Sequence, residues 1–308
     1  MKMKIFMLTA SVLFLFLAGC QYELTEVEYG EIEKTLRLKV SAENMSNSSV
    51  SKSSFEYGDK IGLFFSSGSP ATAYNTAYEN TLYEFGPAGW NADRNVHLTA
   101  TQVDIHAYYP YREEAKRVGN DIIVPIDCST GYDYMWGKMI SEPGYVDNNN
   151  LHVTVRMYHA LAKVQFKFVK LTYADKGVVT SLGIQDTGPF ETSFIRGNMS
   201  LSTGEIEKTE RTTFREVLKE PYVIPDTNTS EDDYPAILSI PTEDGLDHDV
   251  SFVATIDGQR KQVYVMHGWE AGKKYIYTIL LHGNKMYVGD VEVIDWIDTP
   301  NDSATIRY

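Results

Sequence analysis

The chain has 308 residues, of which 43% are hydrophobic and 12% aromatic, and its 28 basic and 42 acidic residues give a net charge of −14. This apolar content excludes a mostly disordered chain, and the length predicts about two domains. The acidic balance argues against nucleic acid as a partner, since phosphate binding needs a basic surface, and two cysteines are too few for a disulfide scaffold.

The first 20 residues follow the order of a bacterial secretion signal. Lys2 and Lys4 precede an apolar run that is too short for a comfortable transmembrane helix. The run closes with Leu-Ala-Gly before Cys20, which resembles a bacterial lipobox. We therefore predict a signal peptide over residues 1–19 and acylation of Cys20, with palmitate among the acyl chains. Outer-membrane lipid is then a partner, held by burial of the acyl chains. The alternative is an ordinary signal peptide followed by a chance cysteine.

Residues 20–34 are predicted to form a lipidated tether. The stretch directly after Cys20 is dense in glutamate. It resembles the surface-export signals of Bacteroidetes lipoproteins, which would place the protein on the outside of the cell. A solvated tether without a sorting role is the alternative, and both interpretations stay open.

From residue 35 onward, apolar and polar residues alternate in short segments, the pattern of half-buried strands. The pair Asp257-Gly258 and the run 282–284 supply turn residues between strands. Only residues 213–220 have a helical pattern. The predicted strands cover residues 35–40, 60–65, 103–109, 121–128, 151–157, 162–168, 250–256, 262–266, 275–281 and 286–293.

The inward-facing residues change register near the middle of the chain. They are odd-numbered in the predicted strand that ends at Met157 and even-numbered in the one that begins at Ala162, which marks a bulge or a crossing between domains. Many short strands, frequent turn signals and little helix predict an all-β protein with two β-sandwiches. We place the boundary near Tyr158, so that the sandwiches cover residues 35–158 and 159–308.

Cys128 continues the apolar face formed by Ile122, Val124 and Ile126. With Cys20 acylated, it has no partner for a disulfide. We therefore predict a buried core thiol rather than a catalytic nucleophile.

Motifs of catalysis and metal binding are missing from the sequence. The seven histidines show no HExxH or paired zinc spacing, and no GxSxG, P-loop or GxGxxG occurs. Residues 226–237 resemble a calcium loop, but Glu231 stands at the glycine position and Ile237 at the final glutamate position. We expect no enzymatic activity, no cofactor and no metal.

Six segments between Phe55 and Trp296 carry recognisable motifs in a fixed order. They are a "GD-IG-F" opening at 55–64, an aromatic segment with tryptophan at 80–90, "AYYPY" at 107–111, "D-MWG" at 133–137, "H-L-KV" at 159–164 and "W-G-Y-Y-I" at 269–279. In this order they resemble the Bacteroides fimbrillin-like (Mfa-like) lipoprotein family.

The resemblance implies two tandem transthyretin-like β-sandwich domains. It implies that the protein is a subunit, anchor or tip of a type V pilus, which serves in adhesion and biofilm formation. In stalk subunits of the family, a trypsin-like or arginine-specific protease cuts after the first strand of the N-terminal domain. The vacated groove then accepts a donor strand from a neighbour, so other pilus subunits are the expected partners.

The segment that corresponds to the removable strand is 35–40. The loop that follows contains no arginine; its only basic residue is Lys52, and Arg37 lies inside the strand. Lys52 and Arg37 are thus the candidate processing residues. The missing arginine favours an anchor, a tip or an unprocessed relative over a stalk subunit. Residues 303–308 alternate in the manner of a donor strand.

A glycan-binding surface lipoprotein is the alternative function. Trp90, Trp136 and Tyr109 are candidates for stacking against sugar rings, which present apolar faces to aromatic side chains. A host or bacterial surface ligand would then be a partner. These rings could instead close the ends of the sandwiches.

Overall fold

The computed structural model describes residues 37–42, 55–140, 142–186, 193–227, 229–242, 250–265, 268–296 and 306–307, with the backbone alone for the first and last of these. This part of the chain forms strands and three short 3-10 helices but no α-helix, so the all-β prediction is confirmed. None of its helices is long and apolar enough to cross a membrane.

The strands are β1 (Arg37–Ala42), β2 (Lys60–Ser67), β3 (Thr72–Ala73), β4 (Thr81–Gly86), β5 (Gly89–Ala92), β6 (Asp104–Tyr109), β7 (Lys116–Val118), β8 (Asp121–Asp127), β9 (Met135–Met139), β10 (His152–His159), β11 (Ala162–Lys170), β12 (Val178–Asp186), β13 (Phe194–Ser200), β14 (Ile206–Arg211), β15 (Phe214–Glu216), β16 (Tyr222–Val223), β17 (Ala236–Ser239), β18 (Val250–Ile256), β19 (Gln259–Val265), β20 (Lys273–His282), β21 (Lys285–Asp295) and β22 (Ile306–Arg307). The 3-10 helices are Thr76–Tyr78, Cys128–Thr130 and Glu231–Asp233.

The strands form four sheets, one of which draws on both halves of the chain. The first sheet has the order β1-β10-β9-β6-β2-β4-β5, with β3 beside β2. The shared sheet has the order β14-β13-β8-β7 and joins strands from either side of Tyr158. The β20 sheet has the order β17-β11-β20-β21-β22, and the β12 sheet has the order β15-β12-β18-β19, with β16 beside β12. The domain boundary near Tyr158 stays a prediction.

The β20 and β12 sheets enclose one core. Phe166 and Tyr277 each meet Phe252 nearly edge to face, with ring centroids 4.8 Å apart. The alternate residues of β11, from Ala162 to Phe168, are buried as their pattern predicts, but Lys163 and Gln165, which the pattern places on the polar face, are buried as well. Burial of each large apolar side chain contributes roughly 1.5–3 kcal/mol, so these rings dominate the packing of this half.

The first sheet is buried on both faces. Leu63 packs into a core on one face of the sheet, while Phe64 and Tyr108 pack on the other face against residues of the shared sheet. The close approach depends on Gly62, because a Cβ there would lie 2.1 Å from Cε1 of Tyr108. The Tyr108 hydroxyl is fixed in turn, 2.6 Å from Oδ1 of Asn80.

Two hairpins and one crossing match the sequence pattern. Strands β18 and β19 join at Asp257 and Gly258, whose φ angles are 47° and 77°, the left-handed conformation that this turn type needs. Strands β20 and β21 join at the predicted turn around Gly283. The register change after Met157 is a crossing between sheets, since the chain leaves β10 at His159 and enters β11 at Ala162.

The helix predicted over residues 213–220 is wrong. Residues 214–216 form strand β15, which pairs antiparallel with β12 and places Arg215 opposite Ile184. Arg215 is buried, and its guanidinium donates to Oγ of Ser239 at 2.9 Å. Pairing at the edge of a sheet and burial of this side chain override the local helical preference.

Candidate functional site

Strand β1 lies at the edge of the first sheet, where it covers β10. The two strands pair in parallel over six residues, from Arg37 opposite His152 to Ala42 opposite Met157. All other described pairings in the first sheet are antiparallel. The inward residues of β10, Val153 and Val155 among them, belong to the core of this sheet. Strand β1 therefore provides hydrogen-bond partners for the backbone along one side of β10, whose inward side chains belong to the core.

The residues predicted for acylation and for proteolytic processing lie either in this strand or outside the described residues. Cys20 and Lys52 lie outside the described residues, and so do the tether and the loop before Phe55. Arg37 begins β1, where its backbone pairs with His152. Acylation at Cys20 and processing at Lys52 or Arg37 stay predictions.

Trp90 and Tyr109 meet through Phe55, the first described residue after the loop. The Phe55 ring lies nearly perpendicular to both rings, with centroids 4.8 Å from Trp90 and 5.8 Å from Tyr109. Tyr109 is 6% exposed, and burial raises the pKa of its hydroxyl. The rings close one end of the first sheet over its core, with Trp90 at the periphery.

Trp136 lies apart from that aromatic group, on the face of the first sheet that turns toward the shared sheet. It is directly opposite Tyr158, with ring centroids 5.5 Å apart, and Nζ of Lys138 lies 5.0 Å from the ring centroid. The loop at Gly204 packs against the indole, because a Cβ there would lie 2.2 Å from Nε1. The structure thus separates the three predicted glycan-stacking residues into two places.

Three buried polar residues and a buried tryptophan meet near Trp136. We call them the junction cluster: Asp133, His159, Lys163 and Trp296. Nδ1 of His159 is 2.9 Å from a carboxylate oxygen of Asp133, and both side chains are at most 3% exposed. The imidazole stacks on the indole of Trp296, with ring centroids 3.8 Å apart and planes 3° from parallel. Nζ of Lys163 lies 6.0 Å from the same indole.

The junction cluster ties distant parts of the chain together. Asp133 precedes β9, His159 ends β10, Lys163 lies in β11 and Trp296 follows β21. The backbone N–H of Trp296 donates to the carbonyl of Gly272 at 2.8 Å, which fixes the end of β21. Sequence reasoning singled out the segments of Asp133 and His159 as motifs but did not pair them. Their occurrence in separate motifs was the only signal.

A cleft of about 1100 Å³ opens above the junction cluster, and we call it the junction cleft. One wall is Trp136 with Tyr158, a second is the part of the shared sheet around Asn198, and the buried residues His159 and Trp296 also line the cleft. Aromatic and polar side chains from both halves of the chain line this cleft.

In the described residues, no group of three or more histidine, cysteine, aspartate or glutamate side chains could hold a metal ion.

Cys128 is buried, as its place on the apolar face of β8 predicts. It is 5% exposed and unpaired, and burial raises the pKa of its thiol to about 11. At neutral pH the thiol is therefore protonated and shielded, which is the state of an inert core cysteine.

We expect Cys128 to react with iodoacetamide at pH 8 at least about 100-fold more slowly in the folded protein than in guanidinium chloride. The raised pKa alone reduces the thiolate fraction by this order, and burial slows access further. Mass spectrometry of the alkylated tryptic peptide gives the rate, with Cys128→Ser as the background. Equal rates in the two conditions would contradict a buried thiol.

Comparison with known families gives one match. The sequence profile described as fimbrillin-like matches residues 48–296, which is most of the chain and includes both sides of Tyr158. No curated protein matches the chain.

Several solved structures share the fold. A Bacteroides ovatus protein named as a candidate for cell adhesion has a TM-score of 0.64 and 17% identity, over 86% of this chain and 99% of that one. A second such candidate, from Bacteroides uniformis, has a TM-score of 0.59 and 20% identity with the same coverage. A fimbrial protein from Bacteroides vulgatus has a TM-score of 0.55 and 14% identity, over 85% of this chain and 99% of that one. At these identities the likeness is one of fold.

Proposed function

This chain belongs to the fimbrillin-like family, and we propose that it is a surface lipoprotein that serves as a structural or adhesive component of a type V pilus. Membership of the family supports a fimbrial or adhesive role and a location at the cell surface. It also favours a protein without enzymatic activity. The predicted acylation of Cys20 supports anchoring in the outer membrane by lipid, with burial of acyl chains holding the protein there.

Assembly by β-strand addition is supported above all by the position of β1. An edge strand held by main-chain hydrogen bonds can be exchanged for another strand of similar length without changing the rest of the sheet. The core side chains of β10, Val155 and Met157 among them, would supply pockets for alternate residues of the incoming strand. The end of the chain is the proposed donor, and the backbone of Ile306 and Arg307 already pairs antiparallel with β21.

The loop after β1 contains no arginine, which favours a component that ends the fibre over one that extends it. With β1 retained, the groove beside β10 is filled, so the protein can donate a strand but cannot accept one. This role is that of an anchor or a tip. Removal of β1 would instead make the protein a stalk subunit that both donates a strand and accepts one.

Intact-mass analysis and N-terminal sequencing of the protein from its native outer surface test this proposal. We expect a chain that begins at acylated Cys20 and retains β1, because the loop has no arginine for the processing protease. A chain that begins at residue 53 and loses this start in Lys52→Gln would identify a stalk subunit. Arg37→Gln is the control for cleavage inside the strand. An unacylated protein in the periplasm would contradict the proposal.

Glycan binding is the second candidate function, and one observation favours it. Trp136 lies on the wall of the junction cleft, whereas Tyr109 is buried and Trp90 packs on Phe55. If the protein binds a sugar, the cleft beside Trp136 is the better place for it.

A further inference from the structure

We propose that the junction cleft binds a neutral oligosaccharide, in contact with Trp136, Tyr158 and Asn198. This inference deepens the adhesive function proposed above and rests on it. It does not depend on strand exchange, since binding in solution requires no assembled pilus.

The size and position of the junction cleft suit a ligand larger than one sugar ring. Its volume of about 1100 Å³ lies just above the usual range for small-molecule sites, which is roughly 300–1,000 Å³. The cleft lies where the first sheet meets the shared sheet, and its rim continues to Thr242 and Gly272. Clefts between packed units are common places for ligands, because several elements contribute side chains to one site.

The first wall of the junction cleft is aromatic. Trp136 and Tyr158 are both partly exposed and lie on directly opposite strands. The backbone at Gly204 packs against the indole and restricts it, which lowers the side-chain entropy that binding would cost. A pyranose ring presents a face of C–H groups, and an aromatic wall of this kind buries such a face.

The second wall offers hydrogen-bonding groups at spacings set by the shared sheet. Asn198 and Ser200 are two residues apart on β13, so they point to the same side. The amide of Asn198 has no hydrogen-bond partner among the described residues. It therefore keeps both its donor and its acceptor for a ligand.

Asp121 adds a charged acceptor beside Ser200. Partial burial raises the pKa of Asp121, but hydrogen bonds from Ser200, Ser202 and the backbone outweigh this and lower it. The carboxylate is thus ionised and oriented at neutral pH. A carboxylate fixed near the amide of Asn198 can accept a charge-assisted hydrogen bond from a sugar hydroxyl.

The charge of the lining favours a neutral ligand. Asp121 and Asp295 lie on the lining with Glu205 and Glu207, while the basic residues are Lys208 and Lys273. Lys273 forms an ion pair with Asp295, which leaves the acidic groups in excess. An acidic sugar would meet like charge in this cleft, so uronic and sialic acids are disfavoured.

Isothermal titration calorimetry on the mature protein in a sugar-free detergent tests the proposal. The probes are cellotriose, mannotriose, maltotriose and N-acetyllactosamine, with trigalacturonic acid as the anionic comparison. We expect saturable binding of at least one neutral probe and at least about tenfold weaker binding of the anionic one. Asn198→Ala should weaken binding several-fold and Trp136→Ala about tenfold or more, while Asn149→Ala, in an exposed loop, should leave it unchanged.

The variants separate a lost site from a lost fold. Thermal unfolding is recorded for each, and Trp136→Phe replaces Trp136→Ala if the larger truncation melts the protein. Binding that none of the cleft variants changes, or that is lost in Trp90→Ala instead, would overturn the assignment to this cleft. So would the absence of saturable binding for all four neutral probes. Neither result would affect the N-terminal sequencing on which the pilus role depends.

Discussion

Replacement of Trp296 by alanine is expected to lower the free energy of unfolding by about 3–5 kcal/mol. The side chain is fully buried and stacks on His159 at the centre of the junction cluster. Nε1 of Trp296 has no hydrogen-bond partner within the described residues, so the expected loss is one of packing. The cavity would also open a path for water to the buried pair of His159 and Asp133.

Urea unfolding followed by far-UV circular dichroism measures this effect, because tryptophan fluorescence changes with the substitution itself. Trp296→Phe is the matched control, since it keeps an aromatic ring against His159 and should lose about half as much. A loss below about 1 kcal/mol for the alanine variant would show that the cluster relaxes around the gap. Equal losses for the two variants would show that stacking on His159 contributes nothing.

The alternation of apolar and polar residues predicts strands well but says little about their partners. In β8 it identifies Ile122, Val124 and Ile126 as inward-facing, and all three are buried. It does not reveal that β8 pairs with β13, because register fixes the face of a strand and not its neighbour. The same reason hides β15, a three-residue strand whose local pattern is helical but whose backbone pairs with β12.

The candidate sites depend on contacts between residues far apart in sequence. Asp133, His159 and Trp296 are joined only by the folding of both halves, and no local pattern links them. The sequence alone gives no reason to prefer Trp90 or Trp136 as the residue that stacks against a sugar. Only the fold distinguishes them, because Trp90 lies in the edge strand β5 and Trp136 lies on the wall of the junction cleft.

Deletion of residues 35–42 is expected to convert the protein from a monomer into a self-associating chain. The deletion removes β1 and leaves the six paired residues of β10, from His152 to Met157, without their neighbour. At a net value of about 1 kcal/mol for each backbone hydrogen bond, the free energy of unfolding should fall by roughly 3–6 kcal/mol. The exposed edge then becomes a template for a strand from another copy.

Light scattering after size exclusion measures the association, and urea unfolding measures the loss of stability. A deletion of equal length within the predicted tether, residues 21–28, is the control and should change neither. If the end of the chain is the donor, a second truncation after residue 302 should abolish the self-association but not restore stability. A synthetic peptide of residues 35–42, added in excess, should restore both the monomer and its stability. A deleted chain that stays monomeric and as stable as the parent would mean that β1 is dispensable, and strand exchange at β10 would then have no structural basis.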